Sequence, residues 1–138
     1  MSESFETQYE DVLQNIEFAI IRFYRKQPEI TDWTAAKVLD SLIRLYRAEQ
    51  QENPSPSLKL SDTEQALLTQ VRAWCEWRLG REAFVAENEE GETEEIRPVP
   101  ISLDEMIACL KRVRRSVKRW TKEGGRRGYL DFVDGFFP

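Results

Sequence analysis

From Ser102 to Lys122 the chain reads SLDEMIACLKRVRRSVKRWTK, and Leu103, Met106, Leu110, Val113, Val117 and Trp120 fall alternately three and four residues apart. At about 3.6 residues per turn this spacing lines them up on one side of an α-helix. A strand would need alternation at every second residue. Such a stripe is the seam that packed helices share, so the stretch demands a helical partner. Ile107 widens the stripe, while the other faces carry Lys111, Arg112, Arg114, Arg115, Lys118, Arg119 and Lys122. One helix thus offers an apolar face and a dense cationic one. Its start is marked by Ser102-Leu103-Asp104-Glu105, a capping box in which the Ser and Glu side chains satisfy each other's backbone N–H, with Ile101 placed as a hydrophobic staple. Gly124-Gly125 ends it.

Three earlier stretches repeat the helical period. Over Phe5–Lys26, Tyr9, Val12, Ile16, Ala19 and Phe23 form a stripe flanked by Leu13, Ile20 and Tyr24, and Pro28 stops the helix. Phe18 and Ile21 lie off that stripe, so this helix is apolar round much of its circumference and needs a central place or a second partner. Thr31 or Asp32 caps the next helix, which runs to about Gln50 with Trp33, Ala36, Leu39, Leu42, Ile43 and Tyr46 on its buried side. The short link through Pro28 predicts that these two helices form an antiparallel pair. The alternating prolines of Asn53-Pro54-Ser55-Pro56-Ser57 then predict an extended, exposed connection. Ser61-Asp62-Thr63-Glu64 is a second capping box. It opens a helix with Leu67, Leu68, Val71, Trp74, Cys75 and Leu79 in its stripe and Trp77 near the edge. Past Gly80, Arg81-Glu82-Ala83 is compatible with one further turn.

Between the last two long helices the pattern changes. Phe84-Val85-Ala86 and Ile96-Arg97-Pro98-Val99 flank a segment holding Glu87, Glu89, Glu90, Glu92, Glu94 and Glu95. Mutual repulsion favours an acidic loop there, with at most a small β-hairpin turning near Gly91. After Gly128, Tyr129, Leu130, Val133, Phe136 and Phe137 recur at helical spacing and predict a short terminal helix. The expected fold is therefore all-α: a single helical-bundle domain over 1–138, with four long helices, a short C-terminal one, and the acidic excursion before the fourth.

Composition narrows function by exclusion. The chain has no histidine, which removes the commonest general base, the His-dependent nucleophile triads and His-containing metal sites. Its two cysteines, Cys75 and Cys109, sit beside core positions and read as buried thiols. Carboxylate pairs at Glu49/Glu52 and Asp131/Asp134 read as ordinary polar helix faces. No stretch approaches the roughly 20 apolar residues of a membrane span. The polar, acidic N-terminus is unlike a secretory signal, so the expected address is the cytoplasm, with no membrane partner. No cofactor motif is present.

Charge is polarised. Net charge is −5, yet the segment 102–127 carries nine basic residues against three acidic ones. Lys111, Arg112, Arg115, Lys118, Arg119 and Lys122, with Arg126 and Arg127 in a Gly124-Gly125-Arg126-Arg127-Gly128 turn, form a candidate anion or nucleic-acid surface. An acidic chain without a helix-turn-helix signature does not favour nucleic acid. The acidic segment just upstream is a possible internal partner for that face. The aromatic surplus points instead to protein contacts. Phe18, Ile21, Trp77, Phe136 and Phe137 are the candidate interface residues. The reading that results is a non-enzymatic interaction module, a homodimer or a partner of another protein. Polyanion binding through the basic helix is the alternative, and an enzyme acting on a phosphorylated small molecule comes third.

Overall fold

The structure is a computed structural model that describes residues 9–27 and 31–122; within these, the side chains of Asp32 and of residues 119–122 are left aside. Among the described residues there are four helices and one two-stranded antiparallel ribbon: α1 (Glu10–Lys26), α2 (Asp32–Gln50), α3 (Asp62–Arg78), β1 (Phe84–Glu87), β2 (Thr93–Ile96) and α4 (Leu103–Lys122). The fold is thus mostly helical. The short terminal helix expected over 129–137 lies outside the described residues.

Helix α4 follows its periodicity. Met106, Leu110 and Val117 are wholly buried, with Val113, Ile107 and Cys109 beside them. Both halves of its capping box are made: the Glu105 N–H donates to Ser102 Oγ (3.2 Å) and the Ser102 N–H to Glu105 Oε1 (3.0 Å). Helix α3 opens with the same device, between Ser61 and Glu64. Helix α2 is capped by Thr31, whose side chain accepts from the Thr34 N–H.

The end of α3 corrects one expectation. The helix ends at Arg78, with Leu79 as C-cap and Gly80 just beyond, and does not run on through Ala83. Gly80 has φ +77°, its N–H donates to Trp77 O, and the Arg81 N–H reaches back to Glu76 O, both at 2.9 Å. These two bonds are a Schellman motif, which satisfies carbonyls that would otherwise be orphaned. Helix α1 begins at Glu10, with Tyr9 as N-cap and no side-chain capping bond; the expected beginning at Phe5 lies outside the described residues.

Neighbour relations correct a second expectation. The longest contact is between α2 and α4; α3 packs on α1 and α2, and α1 rests on α3 and α4. The order round the bundle is α1–α3–α2–α4, so α1 and α2 lie across from each other and share little direct contact. A short link fixes where a helix begins, not what it packs against. Stripe width decides that. Helix α2 buries Ala35, Ala36, Val38, Leu39, Leu42, Ile43 and Tyr46, an arc wide enough for two neighbours. The breadth of α1 has the same meaning. One apolar cluster draws on all four helices.

Trp33 is the third correction. It is 74% exposed. At about 100° per residue it lies roughly 120° round α2 from Leu39, outside the buried arc. Among the described residues, no helix is long and apolar enough to cross a membrane.

Candidate functional site

Two surfaces gather the residues singled out by the sequence. The first is the ribbon and its root. β1 and β2 pair in the register Phe84↔Ile96, Val85↔Glu95, Ala86↔Glu94 and Glu87↔Thr93. Alternation puts Phe84, Ala86, Glu94 and Ile96 on one face and Val85, Glu87, Thr93 and Glu95 on the other. The Phe84 face docks on α3. Its ring centroid lies 5.4 Å from Trp74 and 5.1 Å from Trp77, and the two indoles meet edge-on at 5.5 Å. Trp77 Nε1 donates to Ile96 O at 2.9 Å, tying β2 to the helix. Below this contact the Ile101 N–H donates to Arg78 O at 3.0 Å, and Gly80 lies so close to Pro100 that a Cβ there would fall 2.9 Å from the proline Cβ.

At the tip, the Asn88 side chain takes up N–H groups of the turn. Its Oδ1 accepts from the N–H groups of Glu90 (3.0 Å) and Glu92 (2.9 Å), and Gly91 turns the chain with φ +80°. The acidic segment is therefore a hairpin in which the glutamates diverge onto two faces and a turn. Among the described residues its ion pair is local, Arg97 to Glu95 at 2.9 Å. The pairing of this segment with α4, which the sequence leaves open, is not seen among them.

Side chains around the ribbon leave apolar surface in the open. Val85 is 69% exposed and Val99 86%, with Phe84 and Ile96 partly so. Of the expected interface residues, Trp77 is half-buried and committed to the ribbon, Phe18 is half-buried, and Ile21 is buried within the chain. Phe136 and Phe137 lie outside the described residues. Sequence reasoning passed over Trp74, Phe84 and Asn88 as organisers. An Asn opening a Glu/Gly turn was the available signal for the last.

The second surface is the cationic face of α4. Lys111 and Arg112 are half-buried, while Arg115 and Lys118 are exposed. Arg114 is spent on a bond to Asp40 of α2. Arg119 and Lys122 belong to α4, but their side chains are not among those described, and Arg126 and Arg127 lie outside the described residues. Lys118 leans over the α2–α4 seam. There it helps to line an open cleft of ≈ 560 Å³ with Trp33, Lys37, Asp40, Arg44 and Lys59 among its walls. The sequence places Lys118 on an anion surface without these neighbours, because Trp33 reads there as a core residue.

A polar latch joins α2 to α3. Tyr46, 1% exposed, donates its hydroxyl to Glu76 Oε2 at 2.8 Å. Arg81 bonds Glu49 and also reaches Glu76 at 3.5 Å. Burial, with the nearby Glu76 carboxylate, pushes the Tyr46 hydroxyl pKa well above the ordinary phenol value. Arg81 beside Glu49 holds that carboxyl below its ordinary range. Both cysteines are buried free thiols, as expected. Burial pushes the Cys75 thiol up, and the Cys109 thiol up to about 12, so neither is a ready thiolate at neutral pH. Among the described residues no group of three or more acidic or cysteine side chains is placed to hold a metal ion. Comparison with protein-family models, with curated proteins and with solved structures finds no match.

Proposed function

We propose that this chain is a non-catalytic binding module that works through protein contacts, with a second copy of itself as the first partner. The observation that carries the reading is the ribbon: a docked hairpin with Val85 and Val99 turned to solvent, Val85 69% and Val99 86% exposed. A two-stranded ribbon with apolar residues on both faces lacks a third layer, and its outer edges are templates for another strand. Charge selects which edge. Antiparallel pairing of β1 with its copy, centred on Val85, sets Val85 beside the partner copy of itself and Phe84 beside Ala86. The same pairing of β2, centred on Glu94 or Glu95, sets that carboxylate against its own copy, and like charges opposite each other are destabilising. β1 is therefore the edge for a two-fold partner, an isologous contact in which one patch meets itself.

Sedimentation at low micromolar concentration tests this. The expected result is a dimer that Val85→Glu with Val99→Glu turns into a monomer of unchanged helicity. A monomeric parent protein at that concentration overturns the proposal. A dimer that survives the valine changes but is lost in Phe136→Asp with Phe137→Asp moves the interface from the ribbon to the tail, and so also overturns the β1 assignment.

A further inference from the structure

The cleft over the α2–α4 seam has a chemistry that the protein-contact reading does not use. Its charges are unequal in their commitments. Lys37 is paired with Glu64 at 3.1 Å, and Asp40, the acid in the lining, is taken by Arg114. Arg44, Lys59 and Lys118 also line the cleft, and among the described residues none of the three has an ion-pair partner. They come from α2, the proline-rich connection and α4, so the bundle itself converges them. Three cations round one concavity, with no ion-pair partner among the described residues, repel one another and gain when an anion enters. In a chain of net charge −5 such a focus is local and does not reflect a generally basic surface.

The rim adds a second element. Trp33 is 74% exposed, an indole left on the surface where a stripe residue would have been buried. A flat, exposed aromatic beside cations is the pairing that recognises a base and its phosphate together. The ring stacks, and lysine and arginine take the phosphate oxygens. The cleft's ≈ 560 Å³ falls within the roughly 300–1,000 Å³ of small-molecule sites.

We infer that the Trp33–Lys37–Arg44–Lys59–Lys118 cleft binds a phosphorylated ligand carrying a planar base, a nucleotide, either free or as a unit of a single strand. Arg44, Lys59 and Lys118 hold the phosphate, and Trp33 stacks on the base. Lys37 is held at the edge by Glu64 and is released toward a ligand only at the cost of that exposed pair.

Titration of the full chain with inorganic phosphate, a nucleoside diphosphate and a short oligothymidylate, followed by calorimetry and by indole fluorescence, tests the assignment. The nucleoside diphosphate should bind more tightly than inorganic phosphate and quench fluorescence, and the quench should vanish in Trp33→Phe. Arg44→Gln with Lys118→Gln, which touches no buried contact, should weaken binding by about tenfold or more while the helical spectrum stays unchanged. If the natural source is a strand, affinity rises with oligonucleotide length and falls steeply with salt. If it is a free nucleotide, the diphosphate binds at least as well as the oligomer. Either pattern supports the cleft. Equal affinity for inorganic phosphate and the nucleotide, binding unchanged in the double variant, or no saturable binding at millimolar ligand overturns it. These readouts are independent of whether the protein dimerises.

Discussion

The helical frame and the ribbon are built from the same apolar residue types on different terms. In the frame, Leu39, Leu42, Leu67 and Leu110 have no exposed surface and belong to one cluster drawn from all four helices. In the ribbon, Phe84, Val85 and Ile96 all keep substantial exposure, and attachment rests on the contact with Trp74 and Trp77, one indole hydrogen bond and the pinned root. Burial of a whole side chain contributes roughly 1.5–3 kcal/mol, while a single hydrogen bond contributes about 0.5–1.5 kcal/mol net. The difference predicts one cooperative unit and one appendage that opens at lower cost. An element of this second kind has surface left over for a partner.

The largest effect should come from the frame. Leu110→Ala removes a wholly buried side chain at the α2–α4 seam and should cost about 2–5 kcal/mol in denaturant unfolding, the spread depending on how far the site collapses. A loss under about 1 kcal/mol would show that the seam is loose, and the contrast with the ribbon would fail.

The two left-handed glycines sharpen the contrast next. A non-Gly residue in this conformation costs roughly 1–2 kcal/mol by itself. At Gly80, φ +77°, the added Cβ also lands 2.9 Å from Pro100 Cβ, and Gly80→Ala should cost about 2–3 kcal/mol globally because the root joins ribbon to frame. At Gly91, φ +80°, the nearest atom is Glu87 Oε1 at 3.6 Å. There the strain stays in the ribbon, which can open without the frame, so Gly91→Ala should lower global stability by less than about 1 kcal/mol while speeding amide exchange at Glu92 and Thr93. Equal global losses would make ribbon and frame one unit.

A smaller effect isolates the tie between them. Trp77→Phe keeps most of the ring packing against Phe84 and removes the indole donor to Ile96 O. It should cost about 0.5–1.5 kcal/mol, read as faster exchange across β1–β2 more than as a shift in the main unfolding transition.

What the chain betrayed about itself follows the same division. The α4 seam, both capping boxes and the exposed proline connection were legible because periodicity and capping are local. The partners of α1 were not, because adjacency depends on arc widths summed over all four helices, and a short loop suggested the wrong neighbour. Trp33 departs from its core reading because angular position on α2, and not apolar character, decides burial. That single residue separates a plain charged face from a lined cleft. The ribbon was half legible. Six glutamates argued for a loop, but Asn88 and the Trp74–Trp77–Phe84 contact organise them, and only the second of these needs the tertiary structure.

The smallest predicted effect lies at the root's second fastening. Arg81 leaves the Schellman turn and bonds Glu49 at the end of α2, with one N–H···O contact at 2.9 Å, tying the start of the ribbon segment to that helix. The two side chains are 38% and 44% exposed, so water and salt screen the pair and its coupling should be only about 0.2–1 kcal/mol. The Glu49 carboxyl is held below its ordinary range, first by the Arg81 hydrogen bond. A carboxyl depressed in the folded state contributes stability above its unfolded pKa of about 4.3 and loses it as pH falls through the lower folded value. A double-mutant cycle of Arg81→Gln and Glu49→Gln should therefore show its coupling at neutral pH and low salt, and lose it in strong salt or well below about pH 4. Arg81 also faces Glu76 at 3.5 Å, so Arg81→Gln alone should cost slightly more than Glu49→Gln alone. Coupling that persists in acid would mean that the root is fastened by packing of the arginine stem and not by its charge.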